Sequence, residues 1–264
     1  MDAVELDVRL AAATEVARHA GDLGLRYFAD RASLAIERKG LQDVVSVADR
    51  AVETLIREEL TARFPDDAIL GEEAGGDPAA MAAAPAIWVV DPIDGTACFL
   101  SGMPLWCVSI ACVVDGRAVV GVVRDPNADE TYAGRTGGGA RLNGAPLEIS
   151  APTSLADGML GVGYSTRSTP ADVVPFMERL LSAGGMFHRI GSGALSLAYV
   201  AAGRLIGYYE PHINSWDCLA GIVLVEEAGG WSNDFLAGDG LMQGGALAAA
   251  APGVTSELRA LTGL

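Results

Sequence analysis

Asp91 and Asp94 lie three residues apart in the run Asp91-Pro92-Ile93-Asp94-Gly95-Thr96, directly after the apolar stretch Ile87-Trp88-Val89-Val90. Proline fixes one backbone torsion there, and glycine lets the chain approach a ligand closely. Two carboxylates so spaced can converge on one point, and hard oxygen donors at one point suit Mg²⁺ or Mn²⁺. If Gly95 and Thr96 begin a helix, their amides would cradle a phosphate. The same six residues would also serve as an Asx-type turn in which both carboxylates bond local amides, and the run alone leaves the two readings open. Gly71-Glu72-Glu73 offers another carboxylate at the end of a second apolar run, and Trp216-Asp217 opens a late helical pattern. Asp217 either joins the ligands or caps its helix, which by itself stabilises by about 0.5–2 kcal/mol.

An Asp-x-Asp-Gly-Thr run opens the haloacid dehalogenase phosphatases, whose first aspartate is a covalent nucleophile. Here Pro92 and Ile93 separate the aspartates instead of a single residue. That extra residue displaces the would-be nucleophile from its acid and argues against a covalent route.

These carboxylates belong to a chain of 264 residues with 50% hydrophobic content and a formal net charge of -16. The length supports one large domain or two closely packed ones. The charge argues against non-specific nucleic-acid binding, because a phosphate backbone would be repelled. It either serves solubility or reports carboxylates gathered around cations. No stretch approaches the roughly 20 uninterrupted apolar residues of a membrane span, and Met1-Asp2-Ala3-Val4-Glu5 lacks the basic start of a secretory signal. A soluble, cytoplasmic protein is expected. Cys98, Cys107, Cys112 and Cys218 form neither a Cys-x-x-Cys pair nor a zinc spacing, so free core thiols are expected.

The elements that must position the carboxylates follow from periodicity. Leu6, Leu10, Ala13, Ala17 and Ala20 predict an amphipathic first helix, and Val52, Leu55, Ile56, Leu60 and Phe64 predict a second after Ser46, closed by Pro65. Ala68 to Leu70 and Ile87 to Val90 read as buried strands that end in acidic residues, with a surface connection from Ala74 to Pro85 between them. Val108 to Val114 and Ala118 to Val123 read as a hairpin about Asp115-Gly116-Arg117, and Asn143-Gly144 marks another tight turn. Beyond Ser150, strands at Met159 to Val162, Met186 to Ile190, Leu205 to Tyr209 and Ala246 to Ala250 alternate with helices at Ala171 to Ala183, after Ser192, at Trp216 to Ala228 and from Val254. An α/β sandwich of two coupled parts, residues 1–150 and 151–264, fits this order.

Together and in this order, Gly71-Glu72-Glu73, Trp88-Val89-Val90-Asp91-Pro92-Ile93-Asp94-Gly95-Thr96 and Trp216-Asp217-Cys218-Leu219-Ala220-Gly221 resemble the signatures of the inositol monophosphatase family. Lys39 with Asp43 to Asp49 resembles the family's early lysine and aspartate segment. Arg189-Ile190-Gly191-Ser192-Gly193, followed by Tyr208-Tyr209-Glu210, resembles its substrate-side region. The resemblance implies a layered αβαβα sandwich of the inositol monophosphatase and fructose-bisphosphatase type, usually a homodimer. It implies two or three Mg²⁺ ions, or Mn²⁺, with Asp91 bridging, Glu72, the Ile93 carbonyl and Thr96 near the first, and Asp94 and Asp217 at the second. Two such ions roughly 3.5–4 Å apart clamp a phosphoryl group during in-line attack. By the same resemblance Asp49 pairs with Thr96 to orient the attacking water, which makes Asp49, Glu72 and Thr96 the catalytic set. Asp94, Gly95 and Thr96, with Ala97, face the phosphate, and Gly191, Ser192, Glu210 and His212 face the organic part.

The implied activity is Mg²⁺-dependent, lithium-sensitive hydrolysis of a small phosphorylated metabolite, myo-inositol monophosphate first. Histidinol phosphate is the main rival, ahead of nucleotide 3′-phosphate, fructose bisphosphate and a non-catalytic regulatory role. Divalent ions also answer the charge problem, since they invert the field of a carboxylate cluster that would otherwise repel a phosphate dianion. Water carried by Mg²⁺ needs no histidine base, in keeping with only three histidines. Two features stay open. Cys98 stands where most relatives carry asparagine, and serves packing or confers thiol sensitivity. His212 either contacts the leaving group or caps a loop.

Overall fold

The computed structural model describes the backbone of residues 1–31, 36–40 and 43–264, and the side chains of residues 1–31 and 47–264. Lys39 and Asp43 therefore lie outside the residues whose side chains are described. The first helix, α1 (Ala3–Ala29), starts at a capping box in which Asp2 and Glu5 each accept the other's backbone amide, at 2.9 and 2.8 Å. A hairpin of β1 (Ile36–Gly40) and β2 (Asp43–Ser46) leads into α2 (Val47–Arg63).

The larger sheet has seven strands in sequence order: β3 (Ala68–Gly71), β4 (Ile87–Asp94), β5 (Cys107–Val114), β6 (Arg117–Asp125), β7 (Glu130–Arg135), β8 (Gly139–Leu142) and β9 (Ala145–Pro146). Only β3 and β4 run parallel; the rest form an antiparallel meander. Asp115 and Gly116 turn β5 into β6 with φ of 50° and 72°, and Asn143 and Gly144 turn β8 into β9 with 49° and 84°. Paired positive φ values match the strand twist in a two-residue hairpin, which is why Asp-Gly and Asn-Gly stand there. The stretch read as a bare connection contains α3 (Pro78–Ala83), capped by Asp77 with proline in its first turn.

The smaller sheet runs in the order β11-β10-β12-β14-β13, from β10 (Met159–Val162), β11 (Met186–His188), β12 (Gly207–Ile213), β13 (Trp231–Ser232) and β14 (Gly245–Ala250). Around it stand α5 (Pro170–Ser182), α6 (Gly193–Ala201), α7 (Ser215–Glu227) and α9 (Thr255–Thr262), while α4 (Thr96–Leu100) and α8 (Gly240–Gln243) are short. Packing sorts these into five layers. Helices α1 and α2 cover one face of the larger sheet, α6 and α7 fill the space between the sheets, and α5 and α9 cover the far face of the smaller one.

Strand alternation feeds the layers. In β5, Val108, Ile110 and Cys112 join Trp88, Val90 and Val52 under the outer helices, whereas Cys107, Ala111 and Val113 face Leu197, Leu219 and Ala220 of the middle layer. A Cβ at Gly121 of β6 would lie 2.3 Å from the Ala220 carbonyl, so glycine there lets α7 lie against the sheet. Among the described residues no helix is long and apolar enough to cross a membrane.

Candidate active site

Strand β4 runs on through the acidic run instead of ending before it. Its register against β5 passes from Asp91 opposite Ser109 to Asp94 opposite Cys107, so one extra residue bulges out between them. Pro92 sits in that bulge, where a missing N–H costs no ladder bond. The Ile93 amide donates to Asp91 Oδ1 at 2.9 Å, so the Asx-type bond and the convergence of carboxylates occur together. Gly95 follows at φ 100°, where a Cβ would meet the Leu105 carbonyl at 2.8 Å, and α4 begins at Thr96. The Thr96 hydroxyl lies 3.0 Å from the Ile93 carbonyl and 3.2 Å from Oδ1 of Asp49, a buried residue of α2.

Asp94 Oδ2 accepts from the Ser192 hydroxyl at 2.6 Å and from the Ala194 amide at 2.7 Å, at the start of α6. These bonds tie the end of β4 to the middle layer. Glu72 follows β3 on a loop closed by paired bonds between Gly71 and Gly75, at 3.0 and 3.1 Å. That loop is gripped from α2: Glu53, buried, accepts the Glu73 and Ala74 amides at 2.8 and 3.1 Å, and Arg57 bonds both Glu53 and the Gly75 carbonyl. Asp217 sits in the first turn of α7, with Oδ2 3.4 Å from the Asn214 amide and 3.4 Å from Arg167 Nη2. Capping geometry and exposure to the cluster thus coexist at Asp217.

Carboxylate oxygens of Asp91, Asp94 and Asp217 lie within 4.8 Å of one another. Burial raises the pKa of all three and of Glu72, and their mutual repulsion adds to it at Glu72, Asp91 and Asp94. Arg167 brings one positive charge to the edge of this group, with 42% of its side chain exposed. Gathered buried carboxylates need either protons or cations. A set of close carboxylate oxygens, with the Ile93 carbonyl beside it, fits small hard divalent cations.

The cluster floors a cleft of about 570 Å³. Glu72, Ile93, Gly95, Thr96, Gly191 and Ser192 border it together with the three aspartates, and Glu210 stands on its far side. His212 is not among the lining residues; it is half-buried beside Gly244, and its Nδ1 is enclosed with no hydrogen-bond partner among the described residues. Cys98 packs with its Sγ 3.5 Å from the Ile190 carbonyl.

Several cleft residues had no signal in the sequence reading. Tyr164, Ser165, Thr166 and Arg167 follow β10, while Tyr208, quoted above only within a motif, precedes Glu210 on β12. Since β10 and β12 run parallel, their carboxyl ends are where a ligand crevice is expected, and that topological rule would have pointed to the loop after Val162. Arg189 closes the same rim, donating to the Tyr164 carbonyl at 3.1 Å.

The family model described as "Inositol monophosphatase family" matches residues 5–262. An inositol-1-monophosphatase of Rhizobium meliloti (strain 1021) is 37% identical over 246 residues, 91% of this chain and 90% of that protein. A Nus factor SuhB of Pasteurella multocida is 38% identical over 251 residues, 93% of this chain and 92% of that protein. The crystal structure of extragenic suppressor protein suhB from Bartonella henselae superposes with a TM-score of 0.90 at 31% identity, covering 97% of this chain and 98% of that one. The chain belongs to the inositol monophosphatase family, and its five layers are that family's fold.

Proposed function

We propose that the protein hydrolyses a small phosphate monoester, myo-inositol monophosphate first, using divalent cations held by Glu72, Asp91, Asp94, Asp217 and the Ile93 carbonyl. The observation that carries this reading is the buried aspartate cluster on the floor of an open cleft, within a chain 37% identical to an inositol-1-monophosphatase. Mg²⁺ or Mn²⁺ bound there supplies Lewis acidity and offsets the charge of the phosphate.

The chain's own groups do the rest. Asp49 holds the Thr96 hydroxyl in place, which fixes an oxygen in the cleft that Glu72 also borders, for orienting a water. The first-turn amides of Thr96 and Ala97 lack helical acceptors and border the cleft, where they are available to phosphate oxygens. Ser192 and Ala194 keep Asp94 in one rotamer. Glu210 reads hydroxyls of the organic part. The exposed edge strand β11, with Met186 62% and Phe187 48% exposed, supports a homodimer.

Phosphate release from inositol monophosphate, histidinol phosphate and a nucleotide 3′-phosphate, with Mg²⁺ titrated, tests the reading. We expect cation-dependent turnover highest on inositol monophosphate; much faster release from histidinol phosphate would replace that substrate. Single turnover in ¹⁸O-water should put the label directly into phosphate, and a labelled protein carboxylate would restore the covalent route. The name Nus factor SuhB on a relative of 38% identity favours a second reading, in which this chain acts as such a factor. No phosphate release from any of these esters at saturating Mg²⁺ would favour it.

A further inference from the structure

Tyr208 and Glu210 are two residues apart on β12 and so share a strand face, while Tyr209 between them points into the outer core against Phe176. Both are nearly sealed, at 2% and 6% exposed, and the Tyr208 hydroxyl donates to Glu210 Oε2 at 2.5 Å. Oε2 is thereby engaged, and Oε1 is left to accept from a ligand. Space for the pair is made by the neighbouring strand. A Cβ at Gly163 would lie 2.0 Å from Glu210 Oε2 and 2.3 Å from the Tyr208 hydroxyl, and one at Gly161 would lie 2.9 Å from the Tyr208 ring. The Gly163 amide is fixed to the Tyr209 carbonyl at 2.9 Å, so the wall cannot retreat without breaking the sheet edge.

We propose that Tyr208 and Gly163 are positioning residues that lock Glu210 into the one rotamer from which it reads substrate hydroxyls, restricting the enzyme to phosphate monoesters of polyols. A glutamate side chain otherwise samples several rotamers, and freezing them beforehand lowers the entropy lost on binding. This rests on the phosphomonoesterase reading above.

The test compares kcat/KM for myo-inositol 1-phosphate with that for p-nitrophenyl phosphate, which carries no aliphatic hydroxyl, in E210A, Y208F, G163A and the double variants with E210A. All three single variants should lower the ratio of the two, Y208F by about tenfold, the scale of one hydrogen bond to a charged group. The loss should lie in KM for the inositol ester, with kcat falling less than threefold. In the E210A background neither Y208F nor G163A should lower the ratio further. A fall in E210A with Y208F within twofold of wild type would overturn the positioning role and leave the polyol reading standing, whereas an unaltered ratio in E210A would overturn both. Equal losses with and without Glu210 would reduce Tyr208 to packing. If G163A does not fold, the near-isosteric Y208F decides alone.

Discussion

The floor and the far wall of the cleft are built on different principles. Each floor carboxylate is held by backbone or by a buried partner: Asp91 by the Ile93 amide, Asp94 by Ser192 and Ala194, Asp217 by the Asn214 amide, and Glu72 through the loop that Glu53 grips. At the wall the substrate-facing Glu210 is held by a side chain, Tyr208, beside a rim loop whose Arg167 side chain is 42% exposed. Backbone contacts fix a site through the fold, and side-chain contacts fix it through residue identity. The floor is therefore suited to one reaction, and the wall to a choice of substrate that a few substitutions can retune.

The sharpest way to break this contrast is D94N. It removes a floor carboxylate oxygen while leaving the Ser192 contact possible, so turnover should fall on the order of 10³-fold, as when a group stabilising transition-state charge is lost. Every phosphate ester should be affected alike, and calorimetric Mg²⁺ affinity should fall with it. Loss confined to one ester would put Asp94 in the wall.

That contrast also explains what could be read beforehand. The acidic run, Glu72 and Asp217 were legible because their neighbours in the chain carry the pattern, as were strands with clean alternation such as Val108 to Val114. The bulge at Pro92 was not, because it exists only in the register of β4 against β5. Glu53 was hidden for a related reason: its partners are the amides of Glu73 and Ala74, and on its own helix it is one more acidic residue. Tyr208 was quoted only as part of a motif, since its bond to Glu210 depends on room left by Gly163, just past the end of β10. Short strands β7 and β8 carried too little periodicity to be read.

Glu53 provides the next break. E53A removes the acceptor for two loop amides and the partner of Arg57, so the Glu72 loop loosens although no candidate ligand has changed. Outer supports of metal ligands typically contribute about 10–100-fold in affinity, and a loss of that size in Mg²⁺ titration is expected. Affinity equal to wild type would mean the loop is held by its Gly71 to Gly75 bonds alone.

Removing cations should expose the floor through pH. Its carboxylates have folded-state pKa values raised above their ordinary ones, Asp94 to about 7, so the fold binds more protons than the unfolded chain. Stability from such groups is present at acidic pH and is lost as pH rises through the raised values. In chelator, the melting temperature should fall between about pH 5 and pH 8, and saturating Mg²⁺ should abolish the floor's share of that fall. Glu210, also pushed up to about 7 by burial, adds to the slope from the wall, and E210Q should remove only its share. Asp7, Glu130, Asp157 and Asp172 are shifted downward, so their effect is confined to more acidic solutions. A chelated protein that gains stability across this window would contradict a proton-hungry floor.

The smallest effect is expected at Cys98, which lies between the two regions. Its sulfur packs 2.8 Å from where a Cβ of Gly191 would stand, and burial pushes its thiol pKa up despite the nearby Arg189. A thiol so placed is a poor nucleophile and reacts slowly. C98A removes one buried atom, so we expect about 1 kcal/mol of destabilisation. That corresponds to about 2–4 °C in melting temperature for a chain of this size. Turnover should change less than threefold, because α4 keeps its start at Gly95 and Thr96. Iodoacetamide should label the native protein at Cys98 far more slowly than the unfolded chain. Rapid labelling accompanied by loss of activity would instead make this junction the point where floor and wall can be uncoupled.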